Sequence, residues 1–282
     1  MKDFDLKNVG RKIGRLIPNL ILMLFSITCI YPAIWLFYSS LKDKSEFYRS
    51  PIALPESLDF QHYISIFTNS KILTWIGNTV RNSFISLFFI LLIGFVVGYF
   101  LSRYKFRGRK ALYSYFLVGM LVPVHALMVP MYVLFTKAGI TDHWYTLVLP
   151  YTALSLPIAI FLVESYVKSI PVEVEEAAAI DGSSFHRTLF FIILPMCMPI
   201  LVTVGIIQFF YAWNEFTFSL ILIDSEQWMT VPVGITLFKG QFATDYPKMM
   251  TAMLIAILPA IVLYFVFSKQ IIKGMIAGAV KG

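Results

Sequence analysis

Six long apolar runs alternate with short polar segments along this chain, at residues of about 17–40, 80–102, 111–135, 144–166, 188–213 and 249–269. An α-helix rises about 1.5 Å per residue, so about 20 apolar residues cross a hydrocarbon core of roughly 30 Å. Each run is therefore long enough to span a membrane, and the polar segments between the runs are too short to fold as separate domains. The pattern predicts an all-α polytopic membrane protein with six transmembrane helices in a single transmembrane domain, residues 1–282.

The composition supports this class of protein. Hydrophobic residues make up 58% of the chain and charged residues only 14%, whereas soluble domains carry about 25% charged residues. The first apolar run follows five basic residues, as a signal peptide would, but it is too long and lacks a small-residue cleavage site, so we expect a retained helix. The two cysteines, Cys29 and Cys197, lie in different runs and form no disulfide or metal motif.

Basic residues are shared unevenly between the two sides of the membrane that six spans define. Of the 23 Lys and Arg residues, 15 fall on the side of the two termini and seven on the opposite side, with Arg81 at a helix mouth. Loops rich in Lys and Arg remain in the cytoplasm, so we predict that both termini are cytoplasmic. Because the charges flank the spans, contact with lipid headgroups explains them, and no nucleic-acid partner is expected.

A polar loop at residues 168–188 carries the most informative local pattern. Pro171 suits the first turn of a helix, and Glu173, Glu175 and Glu176 complement the positive end of the helix dipole. The three alanines that follow at residues 177–179 are strong helix formers. A short helix is therefore predicted at the cytoplasmic face, with small side chains that allow a partner to approach closely.

The same loop contains residues that end this first helix and begin a second one. Gly182 is suited to the left-handed conformation that ends many helices. Ser183 or Ser184 can cap a second helix, which continues into the fifth span until Pro195 disturbs it. The pattern predicts a helix, a tight turn and another helix.

This loop resembles the signature of a known family. Glu176-Ala177-Ala178, then three residues, Gly182, nine residues, Ile192, one residue and Leu194-Pro195 match, position for position, the signature loop of permease subunits from binding-protein-dependent ABC importers. Three further stretches resemble the carbohydrate branch, specifically its shorter maltose-type permease: Ala-Trp-Asn-Glu-Phe at 212–216, Thr-Val-Pro-Val-Gly at 230–234 and Gly-Ala-Val-Lys-Gly at 278–282. The resemblance extends over essentially the whole chain.

The resemblance implies that the polar loop, hereafter the coupling loop, docks into a groove on an ATP-hydrolysing subunit. The residues implied in this contact are Glu176, Ala177, Ala178, Asp181, Gly182, Phe185 and His186. Relatives often carry an aromatic residue at the second position of the Phe185-His186 pair, so which of the two fills the partner's pocket is left open. The tail at 278–282 is expected to reach the ATPase interface.

The resemblance also implies the composition of the complex. A second permease subunit, two ATP-binding subunits and an extracytoplasmic solute-binding protein would assemble with this chain in the cell membrane of a prokaryote, and the cargo would be a sugar. The chain contains no Gly-x-x-x-x-Gly-Lys-Ser/Thr motif, so it has no phosphate-binding loop of its own. We therefore expect a transport subunit that is not an enzyme and binds no cofactor, with ATP and Mg held by the partner subunits.

Five residues near the outer end of the fifth span are candidates for the sugar path. Aromatic faces and hydrogen-bonding side chains bind sugars together, and this segment offers both in Gln208, Tyr211, Trp213, Asn214 and Glu215. The alternative is an interfacial aromatic anchor with polar neighbours. The sequence does not choose between the two.

The main alternative function is an ion-coupled secondary transporter of a small polar solute. Such transporters need ionisable or unwound sites near the membrane midplane, often within internal repeats. Here ionisable residues are scarce in the spans, and Glu164 lies near the cytoplasmic end of span four, where an ion pair with Lys168 is expected. The scarcity favours the ATP-driven importer.

Overall fold

The computed structural model describes residues 6–239 and 244–279, and side chains within 18–239 and 244–268. Every regular element in these ranges is helical, which confirms the predicted all-α class. The α-helices are α1 (Leu6–Ser39), α2 (Lys44–Arg49), α3 (Gln61–Asn69), α4 (Ile72–Arg103), α5 (Arg109–Gly119), α6 (Met128–Ala138), α7 (Val148–Val167), α8 (Glu173–Ile180), α9 (Phe185–Arg187), α10 (Leu194–Met196), α11 (Met198–Trp213), α12 (Thr217–Leu222), α13 (Val231–Gly234) and α14 (Tyr246–Ala279). Two 3₁₀ turns, Val124–Leu127 and Ile235–Phe238, and one π-helical stretch, Thr188–Ile193, complete them.

Four helical segments of the described chain are long and apolar enough to cross a membrane: Pro18–Ser39, α4, α7 and Tyr246–Ser268. Two bent pairs also qualify, Arg109–Gly119 with Val124–Ala138 at 96° and Phe185–Met196 with Met198–Trp213 at 69°. The number of spans reaches the predicted six when each bent pair counts as one. Pro123 precedes the first restart, and Pro195 and Pro199 flank the second bend, where the loss of backbone donors favours a break.

Helices α4 and α7 begin at residues that differ from the predicted starts of their spans. Helix α4 begins at Ile72, ahead of the predicted start near residue 80, because its first turns are buried in protein rather than in lipid: Asn78 donates to the carbonyls of Gln227 and Met229 at 2.8 and 2.9 Å. Helix α7 begins only at Val148, after the predicted start at residue 144. The intervening turn is closed by Thr146, whose hydroxyl donates to the Ile140 carbonyl at 2.7 Å.

The chain forms two compact units. The first comprises Met1–Ser70 and Phe238–Ile255. In it Asp43 caps α2 through two backbone amides, and the buried Lys42 ammonium donates to the Ser50 carbonyl at 2.6 Å. The segment after the first span is therefore an ordered small structure with satisfied polar groups.

The second unit comprises Lys71–Leu237 and Ala256–Gly282. Its centre is the packing of α4 along α7. A Cβ atom on Gly98 would lie 2.8 Å from Cγ1 of Val163, and one on Gly94 would lie 3.0 Å from Cβ of Ala159. Small residues let two transmembrane helices approach closely, so these glycines are what allows α4 and α7 to pack against each other at this distance.

Candidate functional site

The coupling loop adopts the helix–turn–helix arrangement. Helix α8 ends at Ile180, and Gly182 has φ +78°, in the left-handed region that favours glycine. The Gly182 amide donates to the Ala179 carbonyl at 3.0 Å, and the Ser183 amide donates to the Ala178 carbonyl at 2.9 Å. This pair of bonds is a Schellman motif. The glycine of the signature therefore sets the angle at which the chain leaves α8.

The second helix begins as the sequence indicates, with one difference. Ser184 occupies the N-cap position with extended backbone, and its carbonyl accepts from the Thr188 amide at 2.9 Å. Its hydroxyl makes no capping bond to α9. Instead the Thr188 hydroxyl donates to the Ser183 hydroxyl at 3.1 Å, across the turn. The turn is thus stabilised by backbone bonds and this side-chain link.

The signature residues are divided between two faces of the loop. Ala178 is buried, whereas Glu176, Ala177, Asp181 and Gly182 are exposed. Phe185 and His186 are exposed as well, and Ile180 is 87% exposed, which is unusual for isoleucine. The loop thus presents an outer face that combines two carboxylates with small and apolar side chains.

The half-buried carboxylate of Glu175, which the sequence placed in the first turns of the helix without a partner, fixes the inner face. The Arg103 Nε donates to Oε1 of Glu175 at 2.6 Å, and the Tyr99 hydroxyl donates to Oε2 at 2.7 Å. Arg103 also donates to the Ile170 carbonyl at 2.8 Å. The signal for this attachment in the sequence was the spacing of Tyr99 and Arg103, which are one helical turn apart.

The expected ion pair between Glu164 and Lys168 is confirmed, with Nζ of Lys168 2.5 Å from Oε1 of Glu164.

The five candidate residues at the outer end of the fifth span do not share one surface. Gln208, Trp213 and Glu215 are buried, and Trp213 stacks on Phe209 with ring centroids 5.5 Å apart. Tyr211 and Asn214 are exposed, and the side-chain amide of Asn214 donates to the Phe210 carbonyl at 2.8 Å.

Both carboxylate oxygens of Glu215 are used inside the protein. One accepts from the Phe218 amide at 2.7 Å, and the other accepts from the Tyr151 hydroxyl at 2.9 Å and the Ser219 amide at 3.2 Å. Glu215 therefore closes the first turn of α12 and joins it to α7. Within the candidate group, Tyr211 and Asn214 are the side chains available to a solute.

A cavity of about 420 Å³ lies between α4, α11 and the second half of α14. All its lining residues are apolar, among them Phe84, Leu91, Phe209 and Phe267. A sugar binds through hydrogen bonds as well as stacking, and this lining offers no side-chain donor or acceptor. The cavity suits hydrocarbon rather than a sugar.

A charged residue joins two loops of the second unit. Asp142, with φ +57°, accepts bonds from the amides of Asp224 and Ser225 at 3.1 and 2.8 Å and from the Ser225 hydroxyl. Burial by itself raises the pKa of Asp142, but these bonds stabilise the carboxylate and outweigh it, so its pKa lies below the usual range. Across the part of the chain that the structure describes, no three His, Cys, Asp or Glu side chains lie close enough to hold a metal ion.

The fold and the loop together define a class of protein: an all-helical membrane component with an exposed, glycine-stopped helix between its fourth and fifth spans. The chain belongs to the family described as binding-protein-dependent transport system inner membrane component, whose model matches residues 90–270. The resemblance to permease subunits of these importers is therefore confirmed, as is a location in the cell membrane.

Individual relatives agree over nearly the full length. The chain is 32% identical to the sulfoquinovosyl glycerol transport system permease protein SmoH of Agrobacterium fabrum, over 90% of this chain and 89% of SmoH. It is 30% identical to the arabinooligosaccharides transport system permease protein AraQ of Halalkalibacterium halodurans, over 90% and 91%. A chain of a bacterial ABC transporter involved in import of the acidic polysaccharide alginate shares the fold, with a TM-score of 0.83, 20% identity and coverage of 92% and 97%.

Proposed function

We propose that this chain is one of two permease subunits of an ATP-driven carbohydrate importer. A second permease completes the translocation path, two ATP-binding subunits hydrolyse ATP with Mg, and a solute-binding protein delivers the sugar from outside. The single observation that carries the proposal is the coupling loop, with its exposed carboxylates beside a left-handed glycine turn. Carbohydrate cargo is supported by relatives such as SmoH and AraQ, whose names refer to transport of sugar-containing compounds.

In this proposal the outer face of the coupling loop docks on an ATP-binding subunit. The contact is made by Glu176, Ala177, Asp181 and Gly182, with Phe185 and His186 at its edge, and Ala178 supports it from beneath. The small side chains let the partner approach the helix backbone, and the carboxylates offer partners for basic residues on its surface. ATP-driven closure of the two ATP-binding subunits then moves α8. The last three residues of the tail at 278–282, which would reach the same interface, lie outside the described residues.

The orientation follows from the charge distribution. The coupling loop, the 103–110 loop and both termini face the cytoplasm, because 15 of the 23 basic residues flank the spans on that side. The opposite end of α11, with Tyr211 and Asn214, then faces the sugar path. Gln208, Trp213 and Glu215 support these two residues from within the protein.

The proposal is tested by isolating the tagged chain in mild detergent and identifying the proteins that accompany it by mass spectrometry. We expect a second polytopic permease and an ATPase that carries a phosphate-binding loop. The binding protein encoded beside them is then screened for binding of neutral and acidic oligosaccharides. Recovery of the chain alone, or as a homo-oligomer without an ATPase, would contradict the proposal and favour an ion-coupled secondary transporter.

A further inference from the structure

Glu175 differs from the other acidic residues of helix α8 in its surroundings. Its side chain is 18% exposed and that of Arg103 is 10% exposed, whereas Glu173 and Glu176 point to solvent. Both oxygens of Glu175 accept bonds from α4, one from Arg103 at 2.6 Å and one from Tyr99 at 2.7 Å. Charge-assisted bonds of this length are stronger than neutral ones, and partial burial reduces their screening by water.

The two donors are themselves held rigidly. Tyr99 is 1% exposed and packs in the apolar core with Phe95 and Val163. Arg103 has a second bond, to the Ile170 carbonyl at 2.8 Å, in the segment that connects α7 to α8. The guanidinium therefore joins the end of α4, the connecting segment and α8 at one point.

Helix α8 needs such an attachment. With eight residues it is too short to be stable alone in water. It is joined to α7 by residues 168–172, which form a turn rather than a continuous helix. Without a side-chain link, a force on α8 could be absorbed by bending at this turn.

We propose that Arg103, Tyr99 and Glu175 form a strut that transmits movement of the coupling loop to the transmembrane helices. The strut meets α4 where Gly98 and Gly94 pack against Val163 and Ala159, so α4 and α7 move together when α8 is displaced. Glu175 is thus a positioning residue, and its exposed neighbour Glu176 belongs to the docking face. This inference rests on the proposed function, because it requires an ATP-driven partner on α8.

The test uses the whole importer, purified with its co-isolated subunits and reconstituted in lipid nanodiscs. Cys29 and Cys197 are replaced by serine and alanine, and single cysteines are introduced by Tyr211→Cys, Asn214→Cys or Phe216→Cys, at exposed positions. Their reaction with a membrane-impermeant maleimide is compared without nucleotide and after trapping with MgATP and vanadate. This readout needs no knowledge of the sugar.

We expect the importer with the native strut to show nucleotide-dependent labelling at one or more of the three cysteines. Glu175→Gln should retain the ATPase subunits and vanadate trapping, but the nucleotide-dependent change in labelling rate should fall by about tenfold, the effect expected for loss of a charged hydrogen bond. Tyr99→Phe removes one neutral donor and should give a smaller loss. Glu173→Gln, a matched change of an exposed carboxylate on the same helix, should leave the labelling change unaltered.

The reversed pair Arg103→Glu with Glu175→Arg should restore part of the response that either single change removes. An unchanged response in Glu175→Gln and Tyr99→Phe would overturn the strut, as would a native importer that traps nucleotide without altered labelling at any of the three positions. If Glu175→Gln does not accumulate in the membrane, Tyr99→Phe and the reversed pair decide. Absence of any ATPase from the purified complex would instead contradict the proposed function.

Discussion

The two ends of the fifth span contrast in how their candidate residues are placed. At the coupling loop, Glu176, Asp181 and Gly182 lie on the exposed face, and the turn has the geometry that the glycine indicates. At the outer end, Trp213 and Glu215 are buried and engaged within the protein. A motif with fixed spacing specifies a backbone conformation and therefore which residues face outward. A cluster of suitable residue types specifies only composition.

The largest effect, a loss of transport, is expected from a substitution at the turn of the coupling loop. Gly182→Val places a β-branched residue at φ +78°, where open space surrounds the position but the backbone is strained by about 1–3 kcal/mol. We expect transport and co-purification of the ATPase to be lost while the permease remains in the membrane. Gly182→Asn, which tolerates left-handed backbone better, should be less damaging.

Gly108→Val is the matched control for this change. Gly108 also has a left-handed backbone, φ +92°, with no neighbour near its Cβ position, but it lies outside the coupling loop. Its substitution should cost comparable stability and leave the ATPase bound. Normal transport by the Gly182→Val variant, expressed at the normal level, would contradict the proposal that the loop couples the permease to the ATPase.

The next largest effect, on thermal stability, is expected at Glu215, which the sequence analysis named as a candidate for the sugar path. Glu215→Ala leaves the amides of Phe218 and Ser219 without an acceptor, and buried unsatisfied donors cost about 1–3 kcal/mol each. We expect a lower thermal unfolding midpoint of the purified complex, and a smaller loss for Tyr151→Phe, which removes one bond. Unaltered stability with weakened sugar response would show that Glu215 acts on the solute instead.

The fold was more predictable than the site for a physical reason. Apolar runs of spanning length have few alternatives in a bilayer, so the helical class followed from hydrophobicity alone. The prolines mark where helices break, but the attachment of Glu175 to Arg103 depends on a contact between segments distant in sequence. Hydrophobicity indicates that a helix is in the membrane, but it does not show which side of α11 faces protein.

A moderate, pH-dependent effect on stability is expected at Asp142, which joins its own loop to the loop of Asp224 and Ser225. Its folded pKa lies below its unfolded value, so its carboxylate stabilises the native state at neutral pH, and this contribution is lost as pH falls from about 5 through about 3.9 and below. Asp142→Asn tolerates the left-handed backbone but lacks the charge. The difference in unfolding midpoint between native protein and variant should therefore shrink toward acid pH. A difference that stays constant from neutral to acid pH would contradict this assignment.

The smallest effect on stability, and the sharpest test of the contrast between the two ends of the span, is expected for Asn214→Ala. Asn214 is exposed, and its amide bonds only the carbonyl of Phe210 one turn earlier, so its loss should cost well under about 1 kcal/mol. If this side chain faces the sugar path, ATP hydrolysis stimulated by the loaded binding protein should change more than basal hydrolysis. Tyr211→Phe, which retains the ring and removes the hydroxyl, separates stacking from hydrogen bonding at the same end of α11. Equal changes in basal and stimulated hydrolysis for both variants would mean that this end of the span is structural throughout, and that the sugar path is formed by other residues.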